Sequence, residues 1–437
     1  MRISVIGCGY LGAVHAAAMA KLGHDVVGID VDERKINDLQ AGRAPFFEPG
    51  LPELLTEAQD TGRLTFSTSM ADASGAAVHF VCVGTPQRKG EYAADLSYVE
   101  SAFRELTPYL SGEDIVVGKS TVPVGTAERM AACIAQAQPN TVLVWNPEFL
   151  REGHAVKDTL APDRFVYGVP TGEAGRRATK VLDEVYAAPL ANSTPRLTMD
   201  YATAELVKAS ANSFLATKIS FINAMAEVCD AAGADVTALA DAIGMDDRIG
   251  RKFLNAGVGF GGGCLPKDIR AFMARAGELG ADQALSFLRE VDAINMRRRS
   301  RVVELTRELV GGSLIGKRIT VLGAAFKPES DDVRDSPSLS VAAQLELQGA
   351  TVTVTDPEAL SNSKDRFPEL SYEPDMASAV SKADALVLLT EWKEYRNMDP
   401  KVVGKLVSSK KILDGRNVLS PKTWRDAGWA YKGMGRP

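Results

Sequence analysis

Cys264 is a candidate nucleophile because of its surroundings in the sequence. It directly follows the glycine-rich segment 257–263. Such a run costs chain entropy on folding, so we expect it where backbone must lie close to a ligand. Pro266 suits the first turn of a helix that we predict to run to Ala276. A sulfur just before a helix N-terminus, with Lys267 nearby, is favoured as a thiolate and is predicted to be a nucleophile. The alternative is a buried structural cysteine, the role that we predict for Cys8, Cys82, Cys133 and Cys229.

Two further groups of polar residues are candidates for acting on a substrate. Lys208 and Asn212 are four residues apart in a predicted helix and therefore share one face. An ammonium and an amide in one cleft could stabilise an oxyanion, although ordinary polar helix faces show the same pattern. Glu148 lies in segment 146–153, which follows a predicted strand, and parallel sheets place ligand loops at this end of their strands. We interpret Glu148 as a base towards water, with a solvated loop acid as the alternative.

The chain begins with a glycine pattern typical of dinucleotide sites, Gly7-Cys8-Gly9-Tyr10-Leu11-Gly12, between a predicted strand and a predicted helix. The first glycine allows a tight turn, the second lets a pyrophosphate approach, and the third lets helix and strand pack closely. The phosphates would meet the free N–H groups of the helix N-terminus. The alternative is a glycine turn that binds nothing.

An acid at the end of the second predicted strand indicates which dinucleotide would bind. The carboxylate of Asp30 can accept hydrogen bonds from both ribose hydroxyls and would repel a 2′-phosphate. The pattern therefore favours NAD over NADP, although Arg34 and Lys35 nearby weaken the exclusion of NADP.

The elements that must position these residues alternate between strands and helices at both ends of the chain. This alternation predicts an α/β fold with two Rossmann-like, doubly wound parallel sheets. Between them, apolar residues recur at helical spacing over about 201–233, which predicts one long central helix. We expect an NAD-binding domain over 1–198, a helical dimerisation region over 199–310 and a second α/β domain over 311–437. The predicted strands are 2–6, 25–30, 77–83, 114–119, 142–145, 164–169, 318–325, 351–355, 385–389 and 411–413.

Composition excludes several classes of protein. The chain has 437 residues, 45% of them hydrophobic and 24% charged, with a net charge of −6, which argues against a nucleic-acid binder. Five cysteines without a CxxC pair and four histidines without metal spacing argue against a disulfide framework or a metal site. No apolar stretch is long enough to cross a membrane, and glycines interrupt the apolar N-terminal segment that would resemble an export signal. We therefore expect a cytoplasmic enzyme with no metal and no membrane partner.

Taken together, these motifs resemble the nucleotide-sugar 6-dehydrogenases of the UDP-glucose/GDP-mannose dehydrogenase family, and most closely the members that use UDP-glucose. The resemblance covers nearly the whole chain. It is carried by VCVGTP (81–86), STVPVGT (120–126), NPEFLREG (146–153), KASANSFLATKISFIN (208–223), GFGGGCLPKD (259–268) and FKPESDDVRDSP (326–337).

The resemblance implies an NAD-dependent four-electron oxidation of UDP-glucose to UDP-glucuronate in a homodimer built on the central helix. Cys264 would attack the aldehyde made by the first hydride transfer, and the resulting thiohemiacetal would be oxidised to a thioester and then hydrolysed. Covalent capture retains the reactive aldehyde, which agrees with this chemistry. Lys208, Asn212 and Asp268 would hold the oxyanion or a water, while Glu148 and Thr121 would handle the water for hydrolysis.

The resemblance also implies binding roles, position by position. Implied cofactor contacts are Gly7, Gly9, Tyr10, Leu11, Gly12, Asp30, Lys35, Thr85, Thr121, Glu152, Lys267 and Arg334. Implied substrate contacts are Glu148, Phe149, Leu150, Lys208, Asn212, Phe253, Gly261, Lys327 and Arg416, with Arg248 reaching the sugar site of the neighbouring subunit. The chain departs from the family at Gly263, where serine is common.

Four other functions remain as alternatives. A GDP-mannose 6-dehydrogenase shares the cysteine motif, although Arg248-Ile249-Gly250 and segment 214–223 favour UDP-glucose. Enzymes that use UDP-N-acetyl-mannosamine typically carry a histidine in the cysteine loop, which this chain lacks. A non-catalytic NAD-binding protein of the same fold, or a hydroxyacid dehydrogenase without a thiol, would not require Cys264.

Overall fold

The computed structural model describes all 437 residues, Met1–Pro437. The chain divides into two compact units. Unit 1 consists of Met1–Ala211 and Arg270–Gly280, and unit 2 consists of Asn212–Ile269 and Ala281–Pro437.

Unit 1 contains an eight-stranded sheet in the order β3-β2-β1-β4-β5-β6-β7-β8. The order 3-2-1-4-5-6 of its first six strands is that of dinucleotide-binding folds. Neighbouring strands are parallel except β6 and β7, which pair antiparallel at Trp145 and Gly168. One pair of neighbouring strands therefore departs from the predicted parallel arrangement. The strands are β1 (Arg2–Ile6), β2 (Asp25–Ile29), β3 (Leu64–Ser67), β4 (Val78–Val81), β5 (Ile115–Gly118), β6 (Val142–Trp145), β7 (Phe165–Gly168) and β8 (Arg196–Met199).

Helices surround this sheet and bury its apolar strands. The side chains of β4, β5, β6 and β7 are buried along their whole length, as expected for strands covered on both faces. The helices are α1 (Tyr10–Lys21), α2 (Glu33–Gln40), α3 (Leu51–Asp60), α4 (Ser97–Leu106), α5 (Thr126–Ala137), α6 (Ala155–Leu160), α7 (Glu173–Val185) and α8 (Ala187–Ala191). The long helix α9 (Tyr201–Ala232) begins in unit 1, and its residues from Asn212 onward belong to unit 2. Short 3₁₀ turns lie at Met70–Ala73 and Thr107–Tyr109.

Unit 2 contains a second, six-stranded parallel sheet in the order β11-β10-β9-β12-β13-β14, which repeats the 3-2-1-4-5-6 arrangement. Its strands are β9 (Arg318–Leu322), β10 (Thr351–Thr355), β11 (Ser371–Tyr372), β12 (Ala385–Leu388), β13 (Lys411–Asp414) and β14 (Ala430–Gly433). The remaining helices of the chain are α10 (Val236–Gly244), α11 (Leu265–Glu278), α12 (Phe287–Leu309), α13 (Pro337–Leu347), α14 (Leu360–Arg366), α15 (Met376–Val380), α16 (Lys393–Arg396), α17 (Pro400–Val403) and α18 (Pro421–Asp426), with a 3₁₀ turn at Asp282–Leu285. Helix α11 begins in unit 2, and its residues from Arg270 onward belong to unit 1.

The predicted α/β fold with two Rossmann-like sheets and a long central helix is confirmed. Helix α9 begins at Tyr201 and ends at Ala232, close to the predicted bounds. Four strands were missed, and β8 shows why, because its side chains are exposed or half-buried and leave no apolar pattern to read. None of the helices combines the length and the apolar character that crossing a membrane requires.

A buried glutamate of α9 fixes the N-terminus of α5, the helix that follows the STVPVGT segment. Glu205 is 2% exposed, and its carboxylate accepts hydrogen bonds from the N–H groups of Gly125 at 2.7 Å and Ala127 at 2.6 Å. No side chain of the N-cap residue itself serves these groups, because that residue is Gly125. Glu205 therefore supplies the cap from outside the helix. Burial raises the pKa of this carboxyl to about 7.

Candidate active site

The three glycines of the N-terminal pattern have geometries that agree with their predicted roles. Gly7 has a φ of +89° at the turn after β1, a conformation that favours glycine. A Cβ on Gly12 would collide with the carbonyl oxygen of Gly7, so this glycine allows the close packing. A Cβ on Gly9 would meet nothing within 4 Å, so the backbone is open there. Helix α1 also begins at Tyr10 without a side-chain cap, which leaves its first N–H groups available to phosphate.

Asp30 lies directly after β2 and beside the glycine turn. Its Oδ2 accepts a hydrogen bond from the N–H of Cys8 at 2.8 Å and pairs with Lys35 Nζ at 2.9 Å. Its Oδ1 accepts from the N–H of Asp32 at 3.0 Å. The acid is thus held in the position that the dinucleotide fingerprint requires. Lys35, predicted as a cofactor contact, is its ion-pair partner.

Glu48, which sequence reasoning missed, connects the start of α1 to the end of segment 146–153. It is 3% exposed, and its carboxylate accepts hydrogen bonds from the N–H groups of Gly153 and Ala155, both at 2.7 Å, and from the hydroxyl of Tyr10. This single buried carboxylate therefore positions a predicted cofactor residue and the loop that carries Glu148 and Glu152. A lone acid in a loop gives no sequence signal of such a role.

Glu148 has both carboxylate oxygens held. Oε1 accepts hydrogen bonds from the N–H groups of Phe149 at 2.7 Å and Leu150 at 3.0 Å, and Oε2 pairs with Lys119 Nζ at 3.0 Å. Burial by itself raises the pKa of Glu148, but Lys119, the Phe149 N–H and Lys208 outweigh it, so the pKa lies below its usual value. Glu148 is therefore a carboxylate at neutral pH, as a base must be.

Other predicted residues of unit 1 lie around Glu148 or on neighbouring loops. Lys208 Nζ lies 5.4 Å from the ring centroid of Phe149, a cation–π distance. The Thr85 hydroxyl, after β4, donates a hydrogen bond to the carbonyl of Thr121, after β5, at 2.8 Å. Unit 1 thus brings Lys208 and Phe149 together with Glu148, and joins Thr85 to Thr121.

In unit 2, three predicted residues form one connected group. Asp268 is 4% exposed, and its Oδ2 accepts a hydrogen bond from Asn212 Nδ2 at 2.6 Å, while Lys267 Nζ pairs with its Oδ1 at 2.5 Å. Cys264 is exposed, immediately precedes α11, and accepts the first helical hydrogen bond through its carbonyl, from Asp268 N–H at 3.0 Å. The sulfur therefore lies at the start of a helix, as predicted.

The last three glycines before Cys264 pack closely against other residues of the protein. A Cβ on Gly261 would overlap the carbonyl of Asp335, and one on Gly262, at φ +84°, would lie 2.8 Å from the Phe326 ring. A Cβ on Gly263 would overlap the guanidinium of Arg334. The glycines therefore let segment 326–337, the FKPESDDVRDSP motif, close against the cysteine loop.

Arg416, which follows β13, donates hydrogen bonds to the cysteine loop, to segment 326–337 and to a third loop of unit 2. Its guanidinium donates to the carbonyls of Leu389 at 2.6 Å, Gly259 at 3.0 Å and Phe326 at 3.1 Å. This predicted substrate residue therefore joins three loops of unit 2, which sequence reasoning did not foresee. Lys327 Nζ lies 5.4 Å from the centroid of the Phe326 ring.

The remaining predicted residues and cysteines lie as follows. Arg248 pairs with Asp246 at 2.6 Å with its side chain 89% exposed, and Phe253 is exposed at a φ of +66°. Cys8, Cys82 and Cys229 are buried as predicted, but Cys133 is exposed on α5, so the prediction of a buried structural role was wrong there. No group of three or more His, Cys, Asp or Glu side chains is placed to hold a metal ion.

Comparison with known proteins identifies the family. Residues 1–189, 202–297 and 320–421 match the NAD binding, central and UDP binding domains of the UDP-glucose/GDP-mannose dehydrogenase family. A UDP-glucose 6-dehydrogenase of Rhizobium meliloti is 41% identical over 440 residues, covering 100% of both chains. One from Pseudomonas aeruginosa is 40% identical, covering 100% of this chain and 98% of the relative. The solved UDP-glucose dehydrogenase of Pyrobaculum islandicum has a TM-score of 0.90 and 38% identity, covering 100% of this chain and 98% of that one. The chain therefore belongs to the UDP-glucose/GDP-mannose dehydrogenase family.

Proposed function

We propose that this protein oxidises the C6 alcohol of UDP-glucose to the carboxylate of UDP-glucuronate, with NAD as the oxidant and Cys264 as a covalent catalyst. The observation that carries the proposal is the match along the whole chain to UDP-glucose 6-dehydrogenases, at 41% identity for the Rhizobium meliloti enzyme. The exposed sulfur at the start of α11 and the connected Asp268 group agree with it.

The residues of the N-terminal site fit NAD. The open backbone at Gly9 and the uncapped N-terminus of α1 suit a pyrophosphate, and Asp30 can take the ribose hydroxyls. Bound NAD would accept one hydride in each of two oxidations, so one sugar yields two NADH. Tyr10, Leu11, Thr85, Thr121, Glu152, Lys267 and Arg334 complete the proposed cofactor contacts.

Cys264 carries the proposed covalent steps. Its sulfur adds to the aldehyde carbon that the first oxidation creates, and the aldehyde oxygen takes up a proton to give a thiohemiacetal. Loss of a hydride and of the hydroxyl proton then gives a thioester. Lys208 and the Asn212–Asp268 pair would stabilise the charge that develops on the substrate oxygen, because donors held in place need no reorganisation during the reaction.

Hydrolysis of the thioester would use Glu148. A water adds to the thioester carbon, its proton passes to Glu148, and the C–S bond breaks to release the carboxylic acid and regenerate Cys264. Thr121 would orient this water. The lowered pKa of Glu148 supports the proposal, because only the carboxylate form can accept a proton.

We also propose the functional division into an NAD-binding part (1–198), a helical dimerisation part (199–310) and a nucleotide-sugar part (311–437). Phe149, Leu150, Phe253, Gly261, Lys327 and Arg416 would contact the nucleotide sugar. We further propose a cytoplasmic location, where nucleotide sugars and NAD are available. Activity and antibody signal in the soluble cell fraction would check it, and signal confined to another compartment would contradict it.

A homodimer built on α9 completes the proposal. Phe214, Phe221 and Val228 recur every seven residues and are 67%, 48% and 57% exposed, so they form one apolar stripe on the helix. A second copy would bury it, and the exposed Arg248 would then be able to enter the partner's site. Replacing Phe214 and Phe221 with glutamate should yield monomers by sedimentation, whereas an unchanged dimer would contradict this interface.

The deciding experiment measures NADH formation with UDP-glucose, GDP-mannose and UDP-N-acetyl-mannosamine. We expect two NADH per UDP-glucose, and no turnover after Cys264→Ser although NAD still binds. Activity confined to GDP-mannose would assign the protein to the other branch of its family. Undiminished oxidation of the alcohol to the acid by Cys264→Ser would refute the covalent route.

A further inference from the structure

A buried lysine at the end of β5 has no role in the mechanism so far. Lys119 is 3% exposed, and burying an ammonium is costly unless it is paired and hydrogen-bonded. Its Nζ lies 3.0 Å from Glu148 Oε2 and donates a hydrogen bond to Asn146 Oδ1 at 3.1 Å. We propose that Lys119 is a positioning residue for thioester hydrolysis, because its ammonium holds the Glu148 carboxylate ionised and in a fixed orientation. This inference rests on the proposed role of Glu148 as the base.

The partners of Lys119 are themselves fixed. Asn146 is 1% exposed, donates through Nδ2 to the carbonyl of Val166 at 3.0 Å, and also accepts from the hydroxyl of Tyr186 at 2.9 Å. The ammonium therefore has little freedom to leave Glu148. Because Oε1 of Glu148 is held by two loop N–H groups, Lys119 determines where the second oxygen points.

Lys119 also affects the charge of Glu148. While water adds to the thioester, Glu148 becomes neutral and the ammonium loses its buried counter-charge. This favours return of the proton to the departing sulfur or to solvent and restores the carboxylate. Without the ammonium, burial would favour the protonated acid, which cannot act as a base.

Three other titratable groups near this pair, those of Cys82, Tyr186 and His15, keep one form over the working pH range. Burial raises the pKa of Cys82 to about 12 and raises that of Tyr186, so both stay protonated. Burial lowers the pKa of His15, which faces Lys119, so this imidazole stays neutral. Lys208 is the remaining charged group that acts on Glu148. A fall of the hydrolysis rate at low pH, which is the acid limb of the pH–rate profile, therefore reports on protonation of Glu148.

The test compares Lys119→Met with Lys119→Arg, which keeps the charge. Stopped-flow NADH formation measures the oxidations, and the later steady rate together with intact-mass detection of the thioester measures hydrolysis, from about pH 5 to about pH 9. For Lys119→Met we expect a normal NADH burst, an acid limb of hydrolysis raised by about 1–3 pH units, and a thioester that accumulates at low pH only. Lys119→Arg should retain most of the wild-type profile.

A loss of hydrolysis that is equal at every pH, or an unmoved acid limb, would overturn the role of Lys119. If Lys119→Met does not fold, the pH–rate profile of the wild-type protein still tests the role of Lys119. A hydrolysis rate that already falls between about pH 6 and about pH 7 would contradict an ion-paired Glu148. Failure of the proposed function looks different. In that case the wild type shows no NADH burst with UDP-glucose, and Glu148→Gln traps no thioester.

Discussion

Replacing Asp30 with asparagine is expected to move cofactor preference from NAD towards NADP. The side chain is 9% exposed, and its Oδ2 accepts from Cys8 N–H at 2.8 Å and pairs with Lys35 at 2.9 Å. An amide oxygen of the same shape can keep the bond to the glycine turn. The substitution therefore removes the charge that would hold the ribose hydroxyls and repel a 2′-phosphate, and it releases Lys35.

The size of the effect follows from these contacts. A hydrogen bond to a charged group stabilises by about 1.5–3 kcal/mol and one between neutral groups by about 0.5–1.5 kcal/mol. The hydrogen bonds from the two ribose hydroxyls would together become weaker by about 2 kcal/mol, which lowers kcat/KM for NAD about 30-fold. A released Lys35 that binds a 2′-phosphate would contribute about 1.5 kcal/mol, which raises kcat/KM for NADP about tenfold. The preference should therefore change about 300-fold.

The assay is NADH or NADPH formation at saturating UDP-glucose with each cofactor varied. Asp32→Asn is the matched control, because Asp32 caps α2 two residues away and accepts hydrogen bonds from Arg34 and Lys35 N–H groups. It should leave the preference nearly unchanged. A change of less than about threefold for Asp30→Asn would show that this carboxylate does not face the ribose.

Three further perturbations test the supporting residues. Glu48→Gln should lower the free energy of unfolding of unit 1 by about 1–3 kcal/mol and weaken NAD binding, because two buried N–H groups would lose their charged acceptor. Thermal denaturation and cofactor titration measure these two effects. Because burial raises the pKa of Glu205 to about 7, its contribution to stability is present below about pH 4 and lost as pH rises through about 7. Chemical denaturation at several pH values should show this loss, and Glu205→Gln should remove it. Arg416→Lys should raise KM for UDP-glucose without changing NAD binding, because a lysine cannot bond all three loops; equal effects on both ligands would contradict this role.

Sequence patterns predicted the elements wherever burial imposed a regular spacing. Strand β6 was predicted with its observed bounds because every one of its residues is buried and apolar. Strands β11 and β14 were missed because one has two residues and the other alternates around Lys432 at the sheet edge. The antiparallel β6–β7 pair was missed because direction is a property of tertiary pairing, which local spacing does not contain.

The candidate site was predictable where a chemical role lies within one continuous motif. Cys264 at the start of α11 and Asp30 after β2 are of this kind. The contacts that tune these groups join distant segments and leave no local signal. Glu48 reaches Gly153 from a separate loop, and Lys119 reaches Glu148 across 29 positions of the chain.

The two Rossmann-like sheets show why the fold alone does not place the cofactor. Asp356 follows β10 in the same way that Asp30 follows β2. The Oδ2 of Asp356 accepts a hydrogen bond from the Ala324 N–H, and the Oδ2 of Asp30 accepts one from the Cys8 N–H. Asp356, however, is 2% exposed and accepts four further hydrogen bonds, from the N–H groups of Ala325, Glu358 and Ala359 and from the indole of Trp392. A carboxylate offers about four lone-pair positions, so none remains for a ribose. Ser336 also caps α13 by accepting a hydrogen bond from the Leu339 N–H, so the protein itself takes one donor at the equivalent of the phosphate site. Asp30 accepts three hydrogen bonds, from the N–H groups of Cys8 and Asp32 and from Lys35, so it keeps acceptor capacity that Asp356 lacks. This difference supports NAD at the N-terminal sheet on chemistry that the shared topology could not supply.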